Sequence, residues 1–251
     1  MKKKINNILI TNDDGYDAIG IKVLVEIAEK LGENIYVVSP KNNQSAKSKS
    51  ITIRNKINFE KISNYNWIID GTPTDCMIFA LNHIFKSNKP DLILSGINAG
   101  SNVGDEVSYS GTVAAAWEGA VRGINSIALS QLGGDHKSNS YSCSMNYSVE
   151  IIKNLLKIKT KPPLYFNVNF PLNISESNNS NVLYTKLASQ KKSDEIFVHN
   201  SESSYKIGRM LNSYQTTQET DMDALKKNKI SLTPLTLDLT NISLFNQLNK
   251  R

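Results

Sequence analysis

Asn7-Ile8-Leu9-Ile10-Thr11-Asn12-Asp13-Asp14-Gly15 is an apolar run that ends abruptly in two carboxylates and a glycine. Its apolar residues do not alternate with polar ones, which is the pattern of a strand covered on both faces. Residues 18–31 follow with Ile19, Ile21, Val23, Leu24, Ile27, Ala28 and Leu31 at helical spacing, and Ile35-Tyr36-Val37-Val38 reads as a second strand ended by Pro40. The alternation continues. Residues 73–86 read as a helix opening at Thr72-Pro73, Asp91-Leu92-Ile93-Leu94 as a strand, and 112–122 as a helix. Ile127-Ala128-Leu129 is another strand, 144–157 a helix, and Leu164-Tyr165-Phe166-Asn167-Val168 a further strand. Strand–helix repetition with buried strands predicts an α/β fold: a parallel sheet with helices on both faces.

The 251 residues favour one large α/β domain, or a domain with an appendage, over two independent folds. A 39% hydrophobic content suffices for its core, and 21% charged residues is ordinary. No apolar run approaches the ~18 residues of a transmembrane helix. Met1-Lys2-Lys3-Lys4 looks like the start of a signal sequence, but the apolar stretch behind it stops at Asp13-Asp14, too soon for a secretory segment. A soluble cytoplasmic protein with no membrane partner is the expectation. Twelve of the 13 glycines precede residue 135, so the front part reads as the working half. Residues 135–251 carry 15 basic and 10 acidic side chains against 14 and 13 before them. That excess is diffuse and nearly all lysine, and it reads as solvated surface rather than a specific nucleic-acid site. Residues 173–217, rich in Asn, Ser and Lys, contain Val182-Leu183-Tyr184 and Ile196-Phe197-Val198 and predict a protruding β-rich extension within a single domain over 1–251. Residues 221–238 predict a short helix and then a strand at Ile230-Ser231-Leu232.

Two cysteines, Cys76 and Cys143, lack an Arg six positions on, where Asn82 and Val149 stand, so no thiolate phosphatase loop is present. Both read as buried reduced thiols. His83, His136 and His199 have no metal-binding spacing, so any metal must be held by oxygen, which points to a hard cation. Asp13 and Asp14 lie where ligands of parallel sheets bind, beyond a strand's carboxyl end. Crowded carboxylates repel unless a cation sits between them, although the same residues also describe a polar turn capping the next helix. Ser95-Gly96-Ile97-Asn98-Ala99-Gly100 repeats the strand-to-glycine pattern and leads through Asn102, Gly104, Asp105 and Glu106 to Ser110-Gly111-Thr112, before an alanine-rich helix. Free N–H groups, two hydroxyls and a positive helix end there suit a phosphate; an ordinary capped helix fits as well. Neither a Walker loop nor a dinucleotide fingerprint is present. Residues 41–48 form a polar loop on the same sheet edge, whereas Gly71-Thr72-Pro73-Thr74-Asp75-Cys76 reads as a helix cap. The convergence of three loops suggests a divalent cation bridging protein and phosphate.

These blocks together resemble the SurE family of metal-dependent nucleotidases. The resemblance runs from Ile8–Gly15 through Gly71–Cys76, Ser95–Gly100, Gly104-Asp105 and Tyr109-Ser110-Gly111-Thr112-Val113. It continues at Asn167-Val168-Asn169-Phe170-Pro171, Thr220-Asp221 and Ser231-Leu232-Thr233-Pro234-Leu235. It implies a Rossmann-like core whose β extension serves oligomerisation, as a homodimer or homotetramer. It also implies one divalent cation per subunit, Mg²⁺ or Mn²⁺, held by Asp13, Asp14, Ser45 and Asn98. The implied reaction is hydrolysis of nucleoside 5′-monophosphates, and of 3′-monophosphates as well. Asp13 or Asp14 would orient the attacking water, the alternative being direct attack by Asp13 to give an aspartyl-phosphate, with Asn12, Ser110, Gly111 and Thr112 on the substrate. Other readings of the same site are hydrolysis of short polyphosphate or other phosphomonoesters, or nucleotide binding without turnover. The chain departs from the family pattern in three places. Gln44-Ser45-Ala46 stands where Arg precedes and Gly follows the serine; Asp17 and Ile19 stand where His and Pro are frequent; and Asn228 stands where glycine is common.

Overall fold

The computed structural model describes residues 4–134, 138–174, 181–189, 191–199, 203–212 and 218–249. His136 and parts of the predicted extension lie outside them. The predicted alternation is present. Strand β1 (Ile5–Thr11) is followed by helix α1 (Ile19–Glu29) and β2 (Gly32–Pro40). A short hairpin, β3 (Phe59–Lys61) and β4 (Asn66–Ile69), precedes α2 (Pro73–Phe79). Then come β5 (Leu92–Ala99), α3 (Gly111–Val121), β6 (Ser126–Gln131), α4 (Ser142–Leu155) and β7 (Tyr165–Phe170). The back of the chain contributes β8 (Val182–Tyr184), β9 (Lys191–His199), β10 (Ser204–Asn212), α5 (Asp221–Lys226), β11 (Ile230–Pro234) and α6 (Ile242–Leu248).

Nine strands form one sheet in the order β3-β4-β2-β1-β5-β6-β7-β11-β8. The six from β4 to β7 are parallel to one another, while β3 and β11 run antiparallel to β4 and β7. Alternate side chains of the sheet feed two layers. Ile8, Ile10, Leu92 and Leu94 pack with Leu24 and Ile27 of α1 and Ile151 and Ile152 of α4. Leu9, Val38 and Ile93 pack on the opposite face with Cys76 and Met77 of α2 and Ala115 of α3. Burial of both faces is what demanded the unbroken apolar strands. The chain moves outward from β1 to β2 and β4, then returns to place β5 on β1's other side. That reversal makes the β1/β5 boundary the switch point of the sheet, where the strand-end loops diverge and leave a crevice.

Thr72 caps α2 as expected. Its hydroxyl accepts from the Asp75 N–H at 3.1 Å while the Asp75 carboxylate accepts from the Thr72 N–H at 3.0 Å. The helix predicted over 73–86 is regular only to Phe79 and continues as a π turn over Ala80–Ile84. Two further differences concern short or exposed pieces. The β3–β4 hairpin and α6 were not foreseen, because strands of three and four residues carry little period and α6 buries none of its residues. Val182-Leu183-Tyr184 does not belong to the protruding extension: it pairs in parallel with β11 and closes the main sheet. The extension is instead the separate two-stranded β9–β10 arm, which exposes Ile196, Phe197, Val198, Tyr205 and Ile207. Both cysteines are free and buried, as their composition suggested.

Candidate active site

The turn after β1 is built around its carboxylates. Asn12 is buried, and its amide donates to the Gly15 carbonyl at 2.8 Å, closing the turn. Gly15 holds φ +102, a conformation glycine adopts freely, and a Cβ there would stand 3.2 Å from the Asn42 backbone. The turn is thereby laid against the loop after β2, where Gln44 N–H donates to the Asp13 carbonyl at 2.7 Å. Asp14 reaches the other way and accepts from the Ala99 N–H at 2.9 Å, binding β1's end to β5's. Asp13 is buried, and the Thr112 hydroxyl donates to its Oδ1. Burial pushes the Asp13 carboxyl up to about 6, and the neighbouring Asp14 charge adds to the rise while the Thr112 bond opposes it. Among the described residues, no cationic side chain is among the groups that act on Asp13.

Asp13, Ser45, Asn98 and Ser110 line one open cavity of about 240 Å³. Asp14 and Ser45 line a second, larger one of about 630 Å³, together with Lys41 and Tyr141; the two cavities share Ser45 and Ala99. Ser45 is exposed, and its N–H donates to the Asn43 side chain at 2.8 Å. Asn98 donates from its amide nitrogen to the Gly100 carbonyl at 2.9 Å, which turns its oxygen into the acceptor left for a ligand. Ser110 acts as the N-cap of α3, accepting from the Val113 N–H at 3.1 Å, so the capped-helix reading is realised. Its hydroxyl proton is free to donate into the cavity it lines. Thr112 is fully buried and spends its proton on Asp13, and Gly111 packs on the same carboxylate. Neither Asn12 nor Thr112 lines the cavity: Thr112 holds the Asp13 carboxylate, and Asn12 closes the turn through Gly15.

Among the described residues, no three His, Cys, Asp or Glu side chains gather as a metal cluster. A cation at this place would have two carboxylates plus neutral oxygens, the donor set of a hard ion that keeps water in its shell. A buried carboxylate beside a like charge, with no cationic side chain acting on it, fits such an ion. The cavity also contains Glu106, Tyr109 and, from the arm, Met210. Glu106 follows a glycine-rich loop and was within reach of the motif. Met210 carries no local signal, because only the fold of β9–β10 brings it there. The loop of Glu106, a 3-10 turn over Gly104–Ser108, is held by Asp221. Its Oδ2 accepts from Gly104 N–H at 2.8 Å and its Oδ1 from Ala188 and Met222 N–H at 3.0 and 2.8 Å. Asp221→Ala strands two buried donors and a part-buried one and is expected to lower stability by about 3 kcal/mol in a urea titration.

A family model described as "Survival protein SurE" matches residues 8–194. The chain belongs to the SurE family. It is 40% identical over 237 residues to the 5′-nucleotidase SurE of Paramagnetospirillum magneticum, covering 93% of this chain and 91% of that protein. It is 38% identical to the 5′-nucleotidase SurE of Parvibaculum lavamentivorans, covering 93% and 86%. The crystal structure of the SurE protein from Aquifex aeolicus superimposes with a TM-score of 0.83 at 33% identity, over 97% of this chain and 98% of that one. Two departures from the SurE pattern acquire a physical meaning in the fold. Ala46 and Asn228 stand at φ +60 and +53, left-handed positions that explain why glycine is common there. Asparagine tolerates that conformation, whereas alanine stores strain of about 1 kcal/mol beside Ser45.

Proposed function

We propose that this SurE protein is a phosphatase of nucleoside 5′-monophosphates, and of 3′-monophosphates, that works with one Mg²⁺ or Mn²⁺ per subunit. The observation that carries this reading is the Asp13–Asp14 pair at the switch point, with like charges adjoining and, among the described residues, no cationic side chain acting on Asp13. The names of its relatives support the same substrate class. Asp13, Asp14, Ser45 and Asn98 would hold the cation. Bound there, it would neutralise charge on the phosphoryl oxygens. Thr112 fixes the rotamer of Asp13, and the Ala99 N–H fixes that of Asp14. Ser110 presents its hydroxyl and the positive end of α3 to the phosphoryl group, which is preorganised stabilisation of developing charge. One of the two aspartates orients the attacking water.

No helix among the described residues is long and apolar enough to cross a membrane. Free, buried cysteines suit a reducing cytoplasm. The exposed apolar faces of the β9–β10 arm and of α6, which shows Ile242, Leu244, Phe245 and Leu248, suit contact with a second copy in a homodimer or homotetramer.

A phosphate-release panel over 5′- and 3′-nucleotides, tripolyphosphate and an aryl phosphate tests the reading. Turnover of nucleoside monophosphates is expected to exceed that of tripolyphosphate, to vanish in chelator and to return with Mg²⁺ or Mn²⁺. The reverse preference would assign the site to polyphosphate. Saturating Mn²⁺ is further expected to raise the thermal midpoint of chelator-treated protein by several degrees, since the ion binds only the folded state. An unmoved midpoint counts against the ligand set.

A further inference from the structure

Hydrolysis of a nucleoside monophosphate leaves a sugar alkoxide, a poor leaving group unless it receives a proton as the phosphorus–oxygen bond breaks. The aspartates at the end of β1 do not suit that task, because their charge is what the cation site requires. Glu106 is the remaining carboxyl group that lines the cavity shared by Asp13, Asn98 and Ser110. It stands on the 3-10 turn after β5, and one of its oxygens, Oε2, accepts from the Val103 N–H at 3.2 Å. That bond fixes the side chain. The other oxygen has no hydrogen-bond partner among the described residues, so it is left to the cavity.

Resting on the nucleotidase reading above, we infer that Glu106 is the general acid that protonates the departing nucleoside oxygen. Burial pushes its carboxyl above the usual carboxylate range, the Val103 bond opposes the rise and the Asp221 charge adds to it, and the net direction favours the protonated form that an acid needs. Water oxygen forms the new bond to phosphorus while the bond from phosphorus to the nucleoside oxygen breaks. The electron pair of the broken bond stays on the nucleoside oxygen, which takes the Glu106 proton. The water's proton passes to the released phosphate or to solvent, and Glu106 regains its own from solvent. Nothing is oxidised or reduced. Asp221 acts only through the turn: by binding Gly104 N–H it sets where Glu106 stands, which makes it a positioning residue.

The test compares two leaving groups in one variant. Glu106→Gln keeps an acceptor for Val103 N–H and removes the proton. Its kcat on a nucleoside monophosphate is expected to fall about a hundredfold. On 4-nitrophenyl phosphate, whose phenolate leaves without protonation, the loss is expected to be at least about thirtyfold smaller. Glu106→Asp, which restores a carboxyl, should narrow the gap between the substrates. Equal losses on both would overturn the assignment and make Glu106 a brace of the turn, and no loss on either would overturn it too. Wild-type protein that turns over the aryl ester but no nucleotide would instead refute the nucleotidase reading. Matching thermal midpoints of variant and wild type separate either result from misfolding.

Discussion

Asp13→Asn is expected to lower phosphate release from nucleoside monophosphates by at least about a thousandfold while leaving the protein folded. Asparagine has the same shape, and its oxygen still accepts from Thr112, so the turn between β1 and α1 retains its brace. What disappears is charge. Asp13 is buried next to Asp14, and without a cation that charge is unfavourable to the fold. In chelator the variant should therefore unfold at a midpoint no lower than wild type. It should also lose the stabilisation that Mn²⁺ confers. Activity and ion response thus fall together, while intrinsic stability does not. Steady-state kinetics alongside thermal unfolding with and without Mn²⁺ reads all three, and turnover within about threefold of wild type would remove Asp13 from the site.

Gly111→Ala is expected to be nearly as damaging, for a steric reason. The first turn of α3 lies against the Asp13-Asp14 turn so closely that a Cβ at 111 would sit 2.8 Å from Asp13 Cβ, 3.0 Å from its Oδ2 and 3.1 Å from Pro73. Contacts below 3.0 Å force movement, and here the neighbour is a short side chain held by Thr112 rather than the loose end of a long one. Alanine would push Asp13 from its rotamer or lift the N-terminus of α3 off the sheet. Either displacement is of the order of an ångström, which can cost about a hundredfold in rate. Overpacking should also cost about 2 kcal/mol of stability. Gly119 lies in the same helix and would clash with Ile93 and Ser126 instead, away from the aspartates. Gly119→Ala should therefore destabilise the protein with a smaller loss of kcat. Comparable losses in kcat would mean that α3 transmits damage to the site from any point.

Much of the core was legible because its physics is local. Unbroken apolar strands such as Ile8–Ile10 and Leu92–Leu94 must be covered on both faces, and the helical spacing of residues 18–31 supplies a cover. Asp13-Asp14-Gly15 directly behind a buried strand marked the working edge for the same reason. The roles of residues 110–112 were less legible. Ser110, Gly111 and Thr112 read alike as a cradle, yet the fold gives Ser110 to the helix cap and the cavity, and gives Thr112 to Asp13. Three residues in the first turn of a helix point in different directions, and which one faces the carboxylate depends on how α3 is set against β1.

The chain's composition and pattern were enough to predict a covered parallel sheet and its carboxylate-bearing edge, because hydrophobic period and turn chemistry act over a few neighbouring residues, while the resemblance to the SurE family rested on its sequence blocks. Strand order lay beyond that reach. So did the placement of β8 in the main sheet, the burial of Asp221 under the 104–108 turn, and the arrival of Glu106 and Met210 at one cavity. Those depend on contacts between segments distant in the sequence, whose favourable partners cannot be recognised until the intervening chain has folded and brought them together.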